Sequence, residues 1–304
     1  MKKLIYIISS PRSGSTLLAN ILGNNKNIFN MGEVTSLNGF IKGNTRQAQY
    51  FGQKVASGDS IFSCPIWSEA IKKASKKLSI CKEELDPKAR MSSRGFWRYF
   101  FLNTYIKELK KESLNQSDSK RASEHAFALF DAIVEQSGKS ILVDSSKNLI
   151  NLIAYINYLP ADWDLKIIYL SRNCEATACS MKKVSQKLKM KRGRSVYFNI
   201  LKCLHYNSML RFFLKEYSHR AISLEDLCAD FNSSASKLIH YINDPTITEL
   251  PLISNNRLRY DIGGSTSVGA LNEKVSLKLD EKWKLQMSFP KRVFSRIFLF
   301  IYRS

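Results

Sequence analysis

Ten residues, Ser9-Ser10-Pro11-Arg12-Ser13-Gly14-Ser15-Thr16-Leu17-Leu18, combine a run of small side chains with one guanidinium and a helix-forming end. They follow the apolar run Leu4-Ile5-Tyr6-Ile7-Ile8, so a buried strand, a tight loop and a helix N-terminus come in succession. N–H groups at the start of a helix point into such a loop, and the positive end of the helix dipole favours a phosphate or sulfate there. The spacing matches the phosphate-binding loop G-x-x-x-x-G-K-[ST], with Ser9 at the first glycine and Ser15 at the lysine. Without the lysine that reaches the β- and γ-phosphates of a nucleoside triphosphate, the loop suits a different phosphorylated ligand, and Arg12 becomes its cation. The plainer reading is a structural turn of small residues. A second group raises the chemical one: Arg172 sits at the C-terminal edge of the apolar run Lys166-Ile167-Ile168-Tyr169-Leu170, and Ser180 lies about two helical turns further on.

These residues need a scaffold that brings distant strand ends together. Glu124 to Gln136 carries Ala126, Leu129, Phe130, Ile133 and Val134 at helical spacing, and the strand Ile141-Leu142-Val143 follows. Asn148 to Tyr158 is a second amphipathic stretch stopped by Pro160, before the strand Lys166–Leu170. Cys174 to Met190 and Val196 to Tyr217 read as longer helices around a basic connection, and Ala221-Ile222-Ser223 as a short strand. Such alternation implies parallel strands with helical crossovers, hence an α/β three-layer sandwich around a central parallel sheet. Ligands of open parallel sheets collect at the C-terminal ends of the strands, so Arg12 and Arg172 are expected at one crevice. No repeat or low-complexity linker marks a boundary. Residues 1–304 are read as one domain with a variable helical insertion around 45–120, where Phe96, Trp97, Tyr99, Phe100 and Phe101 suggest core or lid packing.

With both phosphate elements in place, the chain resembles the sulfotransferases that use 3′-phosphoadenosine 5′-phosphosulfate (PAPS), in their bacterial, carbohydrate and tyrosyl branches. Pro11 to Leu18 looks like the family's loop for the 5′-phosphosulfate, and Arg172 with Ser180 like its signature for the 3′-phosphate. Val143-Asp144-Ser145-Ser146-Lys147 and Ser223-Leu224-Glu225-Asp226-Leu227 agree with two further family elements. The resemblance implies a P-loop-like fold and transfer of a sulfuryl group from PAPS to an acceptor hydroxyl, leaving adenosine 3′,5′-bisphosphate, with no metal. It assigns nucleotide contacts to Arg12, Ser13, Gly14, Ser15, Thr16, Leu17, Arg172 and Ser180, and less directly to Ser265 and Lys274 in a loop that precedes Trp283. Glu33, in Phe29-Asn30-Met31-Gly32-Glu33-Val34, is similar to the family's proton-accepting Glu. Lys147 follows a buried strand and would neutralise the transferring group, with Arg12 holding charge on the leaving phosphate. A surface carboxylate and a lysine paired with Asp144 are the bland alternatives. Leu224 stands where the family often offers a tyrosine. His125 falls within the amphipathic helix and reads as structural.

The net charge of +21 on 304 residues points to nucleic acid, an anionic membrane or acidic small molecules. No zinc finger, ribonucleoprotein motif or helix-turn-helix signature is evident, so no nucleic-acid partner is expected. The acceptor is expected to be a carbohydrate, glycolipid or small metabolite, with possible peripheral contact to an anionic membrane through Val293 to Ile301 and its flanking cations. The six cysteines show neither C-x-x-C nor zinc spacing and read as reduced residues of a cytoplasmic protein, Cys174 and Cys179 as small buried packing. Lys2 and Lys3 before five apolar residues imitate a signal peptide, but Ser9-Ser10-Pro11-Arg12 cuts the run below the ~7–15 residues such a core needs. The competing class is a P-loop kinase using ATP and magnesium, with Asp144 and Thr16 on the metal. A noncatalytic nucleotide-binding or membrane-surface protein would keep the loop and dispense with Glu33 and Lys147.

Overall fold

The structure is a computed structural model and describes residues 1–44, 53–90, 116–187, 195–252, 259–263, 277–287, 290 and 294–295. Five parallel strands form its centre: β1 (Lys2–Ser9), β2 (Ile28–Gly32), β3 (Ile141–Asp144), β4 (Trp163–Ser171) and β5 (His219–Ser223), in the order β2-β3-β1-β4-β5. The apolar runs Leu4–Ile8, Ile141–Val143 and Lys166–Leu170 become β1, β3 and β4, each extended by a few residues. β2 is the strand that the apolar pattern does not announce, because Asn30 and Gly32 interrupt it.

Helix α1 (Ser15–Gly23) carries the chain from β1 across to β2, whereas α5 (Leu149–Asn157) carries it from β3 back over β1 to β4. Crossovers in opposite directions leave a crevice at the C-terminal end of β1, the place where open α/β sheets receive ligands. β1 alternates sides strictly. Leu4, Tyr6 and Ile8 face a core shared with α2 (Leu37–Ile41), α3 (Pro65–Leu78), α4 (Gln116–Ser137), α5 and α7 (Val196–Leu214). Ile5 and Ile7 face a second core with α1, α8 (Leu224–Ala229) and α9 (Phe231–Ile242). Helices thus cover both faces of the sheet, which explains why the central strands read as continuous apolar runs. A third, smaller cluster joins α6 (Cys174–Lys187) to α7, with Trp283 of the short helix α10 (Trp283–Gln286) packed on it.

The expected helix from Glu124 begins eight residues earlier, at Gln116, and the remaining helices keep their predicted positions to within a few residues. Ser265, Lys274, the cluster Phe96–Phe101 and residues 188–194 lie outside the described residues, as does all of the terminal apolar segment except Phe294 and Ser295. Among the described residues no helix is long and apolar enough to cross a membrane.

One buried side chain ties the sheet to the turns above it. The Tyr6 hydroxyl donates to the Asn148 carbonyl (2.8 Å) and accepts from the Asn148 N–H (3.1 Å), and Tyr6 is fully buried. Asn148 itself caps α5, its Oδ1 accepting from the Ile150 N–H at 2.9 Å. Tyr6→Phe leaves both Asn148 backbone groups without that partner, so it should destabilise the protein by about 1–3 kcal/mol. The check is the denaturant midpoint of the variant, which should fall with no change in secondary structure.

Candidate active site

Four neighbouring strands deliver one candidate group each to the same edge of the sheet. β1 leads into the Arg12 loop, β4 ends at Arg172, β3 runs into the turn holding Lys147, and β2 runs into Glu33. The register is close: Ser9 pairs with Leu170, Tyr6 with Asp144, and Gly32 with Asp144.

The loop closes on itself through small side chains. Ser10 and Ser13 share a hydroxyl hydrogen bond of 2.7 Å, both buried. Arg12 adopts a left-handed backbone with φ +68°, and Gly14, the N-cap of α1, has φ +92°. The positive φ favours glycine there, and a Cβ would also lie 2.8 Å from Leu224 Cδ1, so the leucine would have to shift. Leu224, which the sequence comparison marks only as a missing tyrosine, is therefore a packed buttress under the loop. A glycine N-cap brings no side chain of its own to the first turn of α1, and the positive end of that helix points to the same loop.

Arg12 and Arg172 meet here. An Arg172 Nη donates to the Arg12 carbonyl (3.0 Å), and Arg12 Nε donates to Ser180 Oγ (3.2 Å). Arg172 Nε is buried with no hydrogen-bond partner. Burial, then the neighbouring Arg172 charge, lowers the Arg12 pKa from its ordinary value, while Glu33 raises it. Two guanidinium groups thus share one partly dehydrated crevice, an arrangement stabilised by an anion between them. Ser180 joins them from α6, whose N-terminus is set by Asn173: its Oδ1 accepts from the Glu175 and Ala176 N–H groups at 2.9 and 3.0 Å. Glu225 Oε1 accepts from the Asn173 N–H (3.0 Å), so α8 braces the tip of β4 as well as the loop.

Glu33 and Lys147 form an ion pair, with side chains 19% and 15% exposed. Lys147 Nζ also donates to the Ser145 carbonyl (3.1 Å). Lys147 is left-handed at φ +60°, and its carbonyl accepts from the Tyr206 hydroxyl of α7 at 3.0 Å. Glu33 follows a break in the β2–β3 register between Asn30 and Gly32. Such an irregularity re-aims the residues after it. Gly32 has φ +80°, and a Cβ there would lie 2.1 Å from the Ile262 carbonyl oxygen, which accepts from the Glu33 N–H at 2.7 Å.

Asp144 is not available to a magnesium ion in this arrangement. It is fully buried, and its Oδ1 accepts both the N–H (2.8 Å) and the hydroxyl of Ser146. His125 is structural: its Nδ1 accepts from the Asp86 N–H at 3.0 Å. The expectation of uniformly reduced cysteines is corrected, since Cys174 and Cys203 are joined in a disulfide between α6 and α7, 29 residues apart in sequence. Cys64, Cys81, Cys179 and Cys228 take part in no disulfide. A cavity of about 340 Å³ lies away from the crevice, along the outer side of β2, where Asn20, Asn30, Lys139 and Tyr260 line it and none of the candidate residues does.

Burial pushes the Asp144 carboxyl up to about 7, against the Ser146 and Val34 hydrogen bonds that lower it. The folded state keeps this proton where the unfolded chain, with an ordinary Asp pKa near 4, has lost it. Through this group, stability therefore declines as pH rises from about 4 to about 7. His125, whose pKa burial lowers, acts in the opposite sense below its ordinary 6.5. The difference between wild type and Asp144→Asn isolates the first effect. Melting temperatures across pH 4–8 should show the variant gaining on the wild type as pH rises, and parallel profiles would contradict the buried, proton-retaining carboxyl.

Two solved structures match this fold over nearly the whole chain. The sulfotransferase domain from the curacin biosynthetic pathway shares 19% identity at a TM-score of 0.54, covering 97% of this chain and 95% of that one. The sulfotransferase domain from the Synechococcus PCC 7002 olefin synthase shares 14% identity at 0.51, covering 98% and 94%. The architecture is therefore that of the sulfotransferase domains, a parallel sheet between helical layers. No family model and no curated protein matches the sequence.

Proposed function

We propose that this chain is a sulfotransferase that moves the sulfuryl group of PAPS to a hydroxyl on a carbohydrate, glycolipid or small metabolite. The observation that carries the reading is the convergence of Arg12 and Arg172 on one crevice beside the N-terminus of α1. Two guanidinium groups on one crevice suit a polyanionic ligand, and a nucleotide phosphorylated at both the 5′ and 3′ positions is such a ligand. The fold is compatible with it.

In this reading the loop of Arg12, Ser13, Gly14, Ser15, Thr16 and Leu17 holds the 5′-phosphate, and Arg172 with Ser180 holds the 3′-phosphate. Ser265 and Lys274 are proposed to add contacts from the C-terminal part of the chain. The acceptor oxygen bonds to sulfur as the bond from sulfur to the bridging phosphate oxygen breaks, and the hydroxyl proton passes to Glu33. Arg12 and the helix N-terminus stabilise the charge that grows on the departing phosphate, by analogy with phosphoryl transfer. Lys147 is already held beside Glu33, so an anionic sulfuryl oxygen entering the crevice competes with Glu33 for the ammonium. That exchange frees the carboxylate as the transferring group arrives. The acceptor class follows the family resemblance and the basic surface, and the protein is read as cytoplasmic, acting at or near an anionic membrane face without nucleic acid.

Adenosine 3′,5′-bisphosphate without metal should raise the melting temperature, whereas stabilisation by ATP with magnesium alone would favour a kinase. Arg172→Ala should weaken bisphosphate binding by the ~1.5–3 kcal/mol of a charge-assisted hydrogen bond, about tenfold or more. Calorimetric titration measures it, and an unchanged affinity in folded Arg172→Ala removes that residue from the site.

Glu33→Gln should bind the bisphosphate as the wild type does and lose roughly 10²–10⁴ in turnover. Labelled PAPS incubated with a cell extract identifies the molecule that gains sulfate and supplies the assay. Equal turnover of Glu33→Gln and wild type on that acceptor would disqualify Glu33 as the base, and label transfer to no acceptor would favour a noncatalytic binder.

A further inference from the structure

The turn after β2 and the turn after β3 are laced together by hydrogen bonds that the transfer step itself does not use. The Ser145 N–H donates to the Gly32 carbonyl (2.8 Å), and the Thr35 N–H donates to Ser146 Oγ (3.0 Å). Ser146 passes its own N–H and hydroxyl to Asp144 Oδ1. Ser146, anchored on Asp144, thereby ties the turn that carries Lys147 to the turn that follows Glu33. Joining β2 to β3 requires no such device, since the strand ladder already does so from Ile28 to Gly32. Burying a carboxyl and a hydroxyl is unfavourable unless their hydrogen bonds accomplish something an apolar pair would not. Here the chain Thr35 N–H to Ser146 to Asp144 fixes the separation of two turns whose outer side chains form the ion pair, and linked hydrogen bonds of this kind strengthen one another.

We propose that Asp144 and Ser146 are positioning residues that hold the Glu33 carboxylate and the Lys147 ammonium together at the crevice, so that proton acceptor and cation meet the acceptor hydroxyl as one unit. The inference deepens the sulfuryl-transfer reading and rests on it for the role of the pair. Its geometry is local. Lys147 is held left-handed, with Tyr206 on its carbonyl and Tyr6 on the next residue, so the segment has little freedom except through the lacing to β2.

The test is competitive acetylation with acetic anhydride on the whole protein, reading Lys147 by mass spectrometry against Lys3, which lies at the opposite end of β1. Asp144→Ala and Ser146→Ala should each raise the Lys147 rate about fivefold relative to Lys3, the effect of losing one typical hydrogen bond. Asp144→Asn keeps an acceptor oxygen and should recover most of what Asp144→Ala loses. Ser146→Ala removes only a hydroxyl and gives the result even where Asp144→Ala does not fold. In the labelled-PAPS assay, Ser146→Ala should lower kcat with KM for PAPS unchanged. Unchanged Lys147 labelling in Ser146→Ala, or raised labelling with undiminished kcat, overturns the proposal. Failure of the nucleotide reading shows separately, as no stabilisation of the wild type by adenosine 3′,5′-bisphosphate, and leaves the labelling result to judge the lacing alone.

Discussion

Two like charges brought together out of bulk water are the constraint around which this crevice is built. Arg12 and Arg172 repel each other, and burial raises the cost of the Arg12 charge, so the chain supplies several fixed supports to keep them in place. The Arg12 carbonyl accepts from Arg172, which turns one arginine's backbone into a ligand for the other's side chain. Ser180 takes the Arg12 Nε, Leu224 fills the space beneath Gly14, and Glu225 fixes Asn173 just past Arg172. These contacts come from three parts of the chain outside the loop: the tip of β4, α6 and α8. The loop conformation is therefore a property of the sheet order, with β4 beside β1 and β5 beside β4, and not of the ten loop residues alone.

The other half of the crevice depends on irregular backbone at two adjacent strand ends. β2 breaks register before Gly32, and β3 gives way to a left-handed Lys147. Sparsely populated backbone states of this kind persist only where surroundings over-determine them. Tyr6 and Tyr206 do so for the β3 turn from below and from the side. Ile262 does so for the β2 turn, accepting from the Glu33 N–H and donating to the Met31 carbonyl at 3.0 Å. Glu33 thus owes its position to a segment more than two hundred residues later in the chain.

That distance explains what was and was not legible in the sequence. The loop, β1, β3, β4 and the helices between them carry local signals: apolar runs, small-residue turns and helical spacing. The convergence of Arg12 with Arg172 followed from the strand-end rule once both runs were read as parallel strands. β2 lacked a local signal because Asn30 and Gly32 serve the register break and the Ile262 contact instead of strand propensity. Leu224 looked like a departure from a pattern, and its actual role, contact with Gly14, exists only in three dimensions. The Cys174–Cys203 pair was equally invisible, since no short spacing marks cysteines on two separate helices. Asn173 was the exception among the unnoticed residues, because an Asn immediately before a helix is a readable N-cap.

Preorganisation has an electrostatic consequence that links these observations to turnover. The loop, the two arginines and the N-terminal end of α1 hold positive potential in place before any ligand arrives, so in the proposed transfer no protein dipole would have to reorganise as charge moves onto the leaving group. The Glu33–Lys147 pair is different, since it is neutral as a unit and becomes a base and a cation only when something divides it. On the proposed reading an anion drawn in by the arginines would do that, competing for Lys147 and leaving the carboxylate to the acceptor. Ligand binding at one side of β1 would then activate the pair on the other side without any large movement. The charge asymmetry across four strand ends, permanent at β1 and β4 and latent at β2 and β3, is what makes the order of events follow from the fold.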